Sequence, residues 1–469
     1  MLRRRQTLYV ERTFDAWRYC SVAFDVAVAG GATAEALQMR RDQRLRSLFE
    51  AAHRSPLLRR ELGRHAPERM RLSDFPRQHK AELMRHFDHW VTDPQVRFDE
   101  VRRFTANPAN IGEAFLGRYV VWESSGSSGE PGVFVQDTAA MAVYDALEAL
   151  RRPVPRPLQR TLDPWYLGER IAFLGAIGGH FASAVSVARA RRLNPALRGV
   201  LHEISFLQPL SQIDAALQAI APTIIGTYPS AAVVLAQEYA AGRLRTRPQE
   251  IWTGGELLSP AMRRFVGGTF GCPVIDSYGA SEFFTIASEC RLGRLHLNSD
   301  WVILEPVDAR GHPVPPDEPS ASVLLTNLAN HVQPLIRYDL GDRVAVRSAP
   351  CACGLQLPVI EVQGRCDDTL VFESPGGAQV PVLPLALSTV LEEDAGLFDF
   401  QLEQTAARTL EIRTALHGAP ARQALQRARR ALADFLARQG AAGVDLQLRP
   451  GFTYRPGRSG KVQRVLRRG

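Results

Sequence analysis

Lysine is nearly missing from this chain. Of its 57 basic residues only Lys80 and Lys461 are lysines. Arginine serves for most ion pairs and phosphate contacts, so a retained lysine marks a place that needs a compact ammonium. Cysteine is scarce too, and six in 469 residues make no disulfide framework. Cys20, Cys272 and Cys366 stand singly in mixed contexts. No uninterrupted apolar run approaches the roughly 20 residues that cross a bilayer. The basic start is not followed by a signal peptide's apolar core, because Glu11, Arg12 and Asp15 intervene. Neither signal peptide nor membrane anchor is expected, and a cytoplasmic location is the default. The formal net charge of +8 comes from arginines scattered through every element rather than gathered with aromatics, which argues against a nucleic-acid patch.

What is present is ordinary globular composition, 45% hydrophobic and 23% charged, with length for two or three domains. Residues 34–65 carry a helical period through Leu37, Leu45, Leu48 and Phe49. Leu72–Pro76 reads as a turn opening a helix with Lys80, Leu83 and Met84. From 136 to 250 helix-like and strand-like runs alternate. Ile171–Leu174, Thr223–Tyr228 and Ile251–Thr253 read as strands and Ser211–Ile220 as a helix. This order predicts an α/β fold of mostly parallel, helix-flanked sheets, with ligands at the carboxyl ends of the strands.

The chain is arranged around Ser124-Ser125-Gly126-Ser127-Ser128-Gly129-Glu130-Pro131-Gly132, which follows the apolar run Tyr119–Trp122 and precedes Val133–Val135. Small residues let backbone N–H groups approach an oxyanion, and hydroxyls add donors without bulk, so a phosphate chain is the expected guest. A surface linker has similar composition but does not usually sit inside a domain. No Gly-Lys-[Ser/Thr] closes the loop, which disfavours the kinase and GTPase class. The pattern resembles instead the loop of the adenylate-forming superfamily. That loop typically ends in lysine; Gly132 departs from this as in the phenylacetate–CoA ligase branch.

Further segments carry the resemblance. Gly254-Gly255-Glu256 followed by Asp276-Ser277-Tyr278-Gly279-Ala280-Ser281-Glu282 is similar to that family's nucleotide pocket. On that likeness Tyr278 offers a ring to adenine, Gly279 lets backbone come close, Ser281 donates to the α-phosphate and Glu282 ligates Mg²⁺. Arg337-Tyr338-Asp339-Leu340-Gly341-Asp342 resembles the segment whose Asp342 would take the ribose hydroxyls. Gly364-Arg365-Cys366-Asp367-Asp368 is similar to the joint between domains, with Arg365 at ribose or phosphate and Asp367 as hinge. The resemblance implies a large domain over 1–364 and a small, mobile α+β lid over 365–469. In the lid, strands near 400–403, 410–414 and 444–448 flank a helix over 421–438. A Gly-Lys loop holds the catalytic lysine in this family, which assigns that role to Lys461.

Cys290, His296, Cys351 and Cys353 form a closed set for structural Zn²⁺, as phenylacetate–CoA ligase relatives show; two free cysteines in a hairpin are the bland alternative. Tyr228, Gly179, His180, Phe283 and Phe284 are candidates for the acid pocket, although a core or loop histidine is the commoner fate of His180. Lys80 is more often a helix-surface residue than a ligand. The implied activity is ATP-dependent conversion of a small acid, an aromatic one by the pocket candidates, to an acyl-adenylate, then transfer to coenzyme A. A carrier-protein thiol, an amine or nitrite chemistry stays open, as does a homodimer. The competing class is an arginine-rich nucleic-acid binder with a zinc module; a degenerate fold that only binds nucleotide is a third reading.

Overall fold

The structure, a computed structural model, describes residues 13–62, 70–124, 131–163, 166–206, 208–365, 370–382, 384–454 and 464–467. The strands of the large lobe, in chain order, are β1 (Val120–Glu123), β2 (Val133–Gln136), β3 (Ile171–Gly175), β4 (Leu201–Ser205), β5 (Ile224–Thr227), β6 (Glu250–Gly254), β7 (Val274–Tyr278), β8 (Ala287–Glu289), β9 (Leu295–Leu297), β10 (Val302–Val307), β11 (Ser322–Asn327), β12 (Tyr338–Asp339), β13 (Asp342–Val346) and β14 (Val359–Arg365). Among the described residues one nine-stranded sheet runs β13-β14-β9-β8-β7-β6-β5-β3-β4. Its β4, β3, β5, β6 and β7 are parallel, and the rest pair antiparallel. The alternating runs of 136–250, continued by β6 and β7, therefore do build a helix-flanked parallel sheet. β10, β11 and β12 make a separate antiparallel sheet.

The strands around the serine loop behave differently from the expectation of a parallel strand end. β1 and β2 pair antiparallel as their own hairpin. The hairpin joins the main sheet through the Glu123 N–H, which donates to the His180 carbonyl at 2.6 Å beyond β3. The far edge of β2 is closed by side-chain amides. Gln333 accepts from the Val135 N–H at 2.8 Å and donates to the Val133 carbonyl at 3.0 Å, and Asn330 donates to the Val135 carbonyl at 2.8 Å. Gln333 and Asn330 are buried, so these bonds replace a missing neighbour strand.

The period over 34–65 resolves into two helices, Ala34–Ala52 and Pro56–Leu62. Ser55 separates them: its Oγ accepts from the Leu58 N–H at 3.2 Å, and Pro56 suits a first helical position. The C-terminal lobe is richer than the sequence reading. β17 (Gln401–Ala406), β18 (Thr409–Arg413) and β19 (Asp445–Arg449) flank the helix Gly418–Arg438, and β20 (Val465–Arg467) adds a parallel edge to β17. Ahead of them β15 (Leu370–Glu373) and β16 (Gln379–Val382) form a hairpin whose turn, Ser374–Gly377, is the stretch that departs from the family pattern. This lobe has its own apolar core, from Leu370 to Val465, apart from the cores of the large lobe. No helix of the described residues is long and apolar enough to cross a membrane.

Replacing Gln333 by Ala strands a buried N–H and a buried carbonyl of β2. At about 1–3 kcal/mol for each group left without a partner, urea titration of Gln333→Ala should show a loss of roughly 2–6 kcal/mol. An unchanged midpoint would show that the amide does not carry this edge.

Candidate functional site

The parallel strands β6 and β7 end side by side, each in a glycine turn. A Cβ on Gly254 would lie 2.9 Å from Ser277 Oγ, and one on Gly279 only 2.0 Å from the Phe284 carbonyl oxygen. Glycine at 279 thus lets the chain fold back at once, with the Ala280 N–H bonded to the Phe283 carbonyl at 3.0 Å. The turn carries Ser281 and Glu282 to the strand end beside β1, where the Trp122 indole donates to the Ser281 carbonyl at 2.7 Å.

Two phenols then tie this turn to the later strands. Tyr278 donates to Asp342 Oδ2 at 2.6 Å, and Tyr338 donates to Glu282 Oε1 at 2.8 Å. Arg365 reaches the other oxygen of Asp342 at 3.3 Å. Asn327 holds the Glu282 carbonyl at 2.9 Å. Burial, more than the neighbouring charges, pushes Glu282 above the usual carboxylate range and both tyrosines well above the ordinary phenol value. Arg337 adopts the left-handed backbone (φ 51°) just before Tyr338, held by Thr326 Oγ1, Glu305 and the Phe75 carbonyl. A bulky residue in that conformation is the kind of local strain that collects at functional sites. Tyr338, Asn327 and Trp122 were not singled out from sequence. Only Tyr338 left a signal, its place inside the Arg-Tyr-x-x-Gly-Asp segment.

The remaining expected residues divide. Ser124 closes the base of the serine loop, its N–H donating to the Gly132 carbonyl at 2.8 Å and its Oγ accepting from the Gly132 N–H at 2.7 Å. A Cβ on Gly132 would touch Lys80 Cδ at 3.4 Å, so the Lys80 stem runs beside that base. Ser125, Gly126, Ser127, Ser128, Gly129, Asp367 and Lys461 lie outside the described residues. Tyr228, at the end of β5, packs edge-on to Phe206 at 5.7 Å. Next to it Glu256 accepts from the Ser230 N–H at 3.1 Å, and its buried Oε1 has no hydrogen-bond partner among the described residues.

Two pocket candidates are turned into the core. His180 is buried with its ring against Phe104 at 5.7 Å, toward the helix Phe98–Thr105, where backbone groups of Thr105 and Asn110 are its hydrogen-bonding neighbours. A Cβ on Gly179 would lie 2.8 Å from the Phe181 ring. Phe283 has no exposed surface and sits edge-on to Tyr144 at 5.1 Å in the core, while Phe284 lies beside Trp122. Side-chain direction at a turn is set by the fold-back after Gly279, which residue type alone does not reveal.

Away from the cleft, Cys290, His296, Cys351 and Cys353 place one ligand atom each within 4.8 Å of one another. His296 Nδ1 bonds the Leu357 carbonyl at 2.8 Å, which leaves Nε2, 3.4 Å from Cys353 Sγ, facing the cluster as an acceptor. Backbone N–H groups of Leu292 and Leu355 point at Cys290 and Cys353 sulfurs at 3.4 and 3.5 Å. Thiolates accept such bonds, and the donor set suits a tetrahedral soft cation.

No protein-family model and no curated relative matches the sequence. Solved structures do. 2-Hydroxyisobutyryl-CoA ligase in its postadenylation state with 2-HIB-AMP superposes with a TM-score of 0.66 at 18% identity, over 93% of this chain and 90% of that one. This chain has the adenylate-forming ligase fold. The same ligase with 2-HIB-AMP and CoA in its thioesterification state gives 0.55 at 19% identity, over 93% and 91% of the two chains. A benzoate CoA ligase from Burkholderia xenovorans gives 0.50 at 17% identity, over 73% and 67%. In an adenylate-forming fold the two glycine turns and the Tyr278–Asp342 brace therefore stand at the carboxyl end of the parallel strands, where such sheets bind ligands.

Asp276 offers a test of this strand end. Burial lifts its carboxyl from 3.8 to about 7, against the Thr253 hydroxyl bond at 2.7 Å. The folded chain then keeps a proton that the unfolded chain releases, so this contribution to stability is full below about pH 4 and is lost as pH rises toward 7. Wild type should lose roughly 1.4 kcal/mol per pH unit relative to Asp276→Asn across that window. Parallel stability curves for the two would show an ionised, well-solvated Asp276.

Proposed function

We propose that this protein is an AMP-forming acid–thiol ligase. The observation that carries the reading is the convergence of Tyr278, Glu282, Tyr338, Asp342 and Arg365 at the mouth of β7, with the Ser124–Gly132 loop base on β1 nearby. In the first half-reaction a carboxylate oxygen of the acid bonds to the α-phosphorus of ATP, and the bond to the bridging oxygen breaks, releasing pyrophosphate. In the second a thiol sulfur, that of coenzyme A, bonds to the acyl carbon and AMP leaves. The better superposition on the postadenylation than on the thioesterification form supports an arrangement of lobes suited to the first step.

The residues take roles accordingly. Asp342, oriented by Tyr278 and Arg365, accepts from the ribose hydroxyls, and Tyr278 with Gly254, Gly255, Glu256 and Ser277 frames the base. The serine loop cradles the β- and γ-phosphates, with the Lys80 stem at its base. Ser281 donates to the α-phosphate. Glu282 would hold Mg²⁺, which neutralises phosphate charge; a carboxylate already buried gains most from a cation. Lys461 bridges the acid and the α-phosphate as charge develops, and Asp367 is the hinge. Tyr228, Phe206, Ser230 and Glu256 line the acid cleft.

Zn²⁺ held by Cys290, His296, Cys351 and Cys353 would be structural, tying β8 and β9 to the turn between β13 and β14. Protein purified without chelator should carry stoichiometric zinc, and Cys353→Ser should lose both the metal and several degrees of Tm. Metal-free wild type with the same Tm would end that assignment.

Pyrophosphate release across a panel of small acids, with and without coenzyme A, tests the activity. Lys461→Ala should abolish acid-dependent pyrophosphate exchange and leave ATP binding intact. Near-normal exchange in that variant would remove Lys461 from the mechanism.

A further inference from the structure

Arg464 stands three positions beyond Lys461 and leads into β20. Its guanidinium donates to Glu392 Oε1 at 2.5 Å and to the Phe398 carbonyl at 2.8 Å, and lies 3.9 Å from the centre of the Phe400 ring. All of these partners belong to the small lobe. The second oxygen of Glu392 crosses to the large lobe, where it accepts from the Ser259 hydroxyl. Ser259 is buried and caps the helix Pro260–Phe270, its Oγ accepting from the Met262 N–H at 3.1 Å.

Glu392 is therefore one carboxylate shared between two lobes, with no exposed side-chain surface. One oxygen steadies the strand that follows Lys461, and the other is fixed at a helix N-terminus, where negative charge is favoured. Breaking either bond leaves a buried charge short of a partner, which costs far more than losing a surface pair. The neighbouring contacts are weaker guides. Phe265 stacks on Phe398 at 4.9 Å, and Arg264 meets Glu393 at 3.2 Å on the surface.

We propose that Glu392 is a positioning residue that locks the small lobe, and with it the segment bearing Lys461, against the large lobe for adenylate formation. The identity of the reaction rests on the ligase reading above; the lock itself does not. Rotation of the lid for thioester formation would break Ser259–Glu392, together with the 3.8 Å contact of Arg464 with Met262 Sδ, and keep Glu392–Arg464, because that pair lies within the small lobe. The lock is thus a switchable contact attached to a permanent one.

Small-angle scattering of the full chain reads the lock without any substrate. Glu392→Gln and Ser259→Ala should both enlarge the radius of gyration relative to wild type, and scattering profiles that superpose on wild type for both would overturn the proposal. Ser259→Ala leaves the lid's internal pair intact, so a misfolded Glu392→Gln lid would not decide the matter. In half-reactions, Ser259→Ala should slow pyrophosphate exchange ten-fold or more while thioester formation from supplied acyl-adenylate stays within two-fold of wild type. Equal losses in both halves would instead mark a merely structural residue. A wild type without exchange for any acid sinks the ligase reading, and the scattering result still decides the lock.

Discussion

Two tyrosine hydroxyls pin two carboxylates across the gap between β7 and the strands that follow it. Tyr278 reaches Asp342 and Tyr338 reaches Glu282, so each brace joins residues some sixty positions apart through a single phenol. A phenol in such a bond resists ionisation and keeps its partner carboxylate oriented with lone pairs to spare. The braces need Gly279, because only an immediate fold-back brings Glu282 within reach of Tyr338. They also need the left-handed Arg337, which turns the chain directly before Tyr338.

Arginine's near monopoly among the cations has a structural counterpart. Arg151 pairs with the fully buried Asp300 at 2.8 Å, Arg189 with Asp145 at 2.9 Å, and Arg156 with Glu250 at 2.6 Å. The planar fork satisfies carboxylates in places where an ammonium would be left with unmatched donors. The chain spends its guanidinium groups on bracing, in the core and between lobes, as Arg464 does with Glu392. The two lysines fall elsewhere: the Lys80 stem runs beside the base of the serine loop, and Lys461 precedes β20 in sequence.

Much of the fold was legible because it is local. Alternating runs between 136 and 250 gave parallel strands, and glycine turns marked where β6 and β7 end. The clustering of the cysteines and His296 was legible through residue type and the family resemblance together, although Cys290 and Cys351 are 61 positions apart. What sequence could not supply was direction and distant partnership. The antiparallel pairing of β1 with β2, the amides of Gln333 and Asn330 along its edge, and the Tyr338–Glu282 bond all join segments whose contact no local pattern encodes. His180 and Phe283 were assigned by proximity in sequence to pocket turns, and both point into the core. Glu392 carried no signal at all, since it heads the acidic run Glu392-Glu393-Asp394, which reads as a solvated face.

Calorimetric titration with ATP·Mg²⁺, on wild type and on Asp342→Asn, addresses the central claim most directly. If the Tyr278–Asp342 brace forms the ribose seat, wild type binds saturably and the variant at least ten-fold more weakly. Absence of binding heat in wild type across temperatures, or equal affinity in both proteins, would contradict the account.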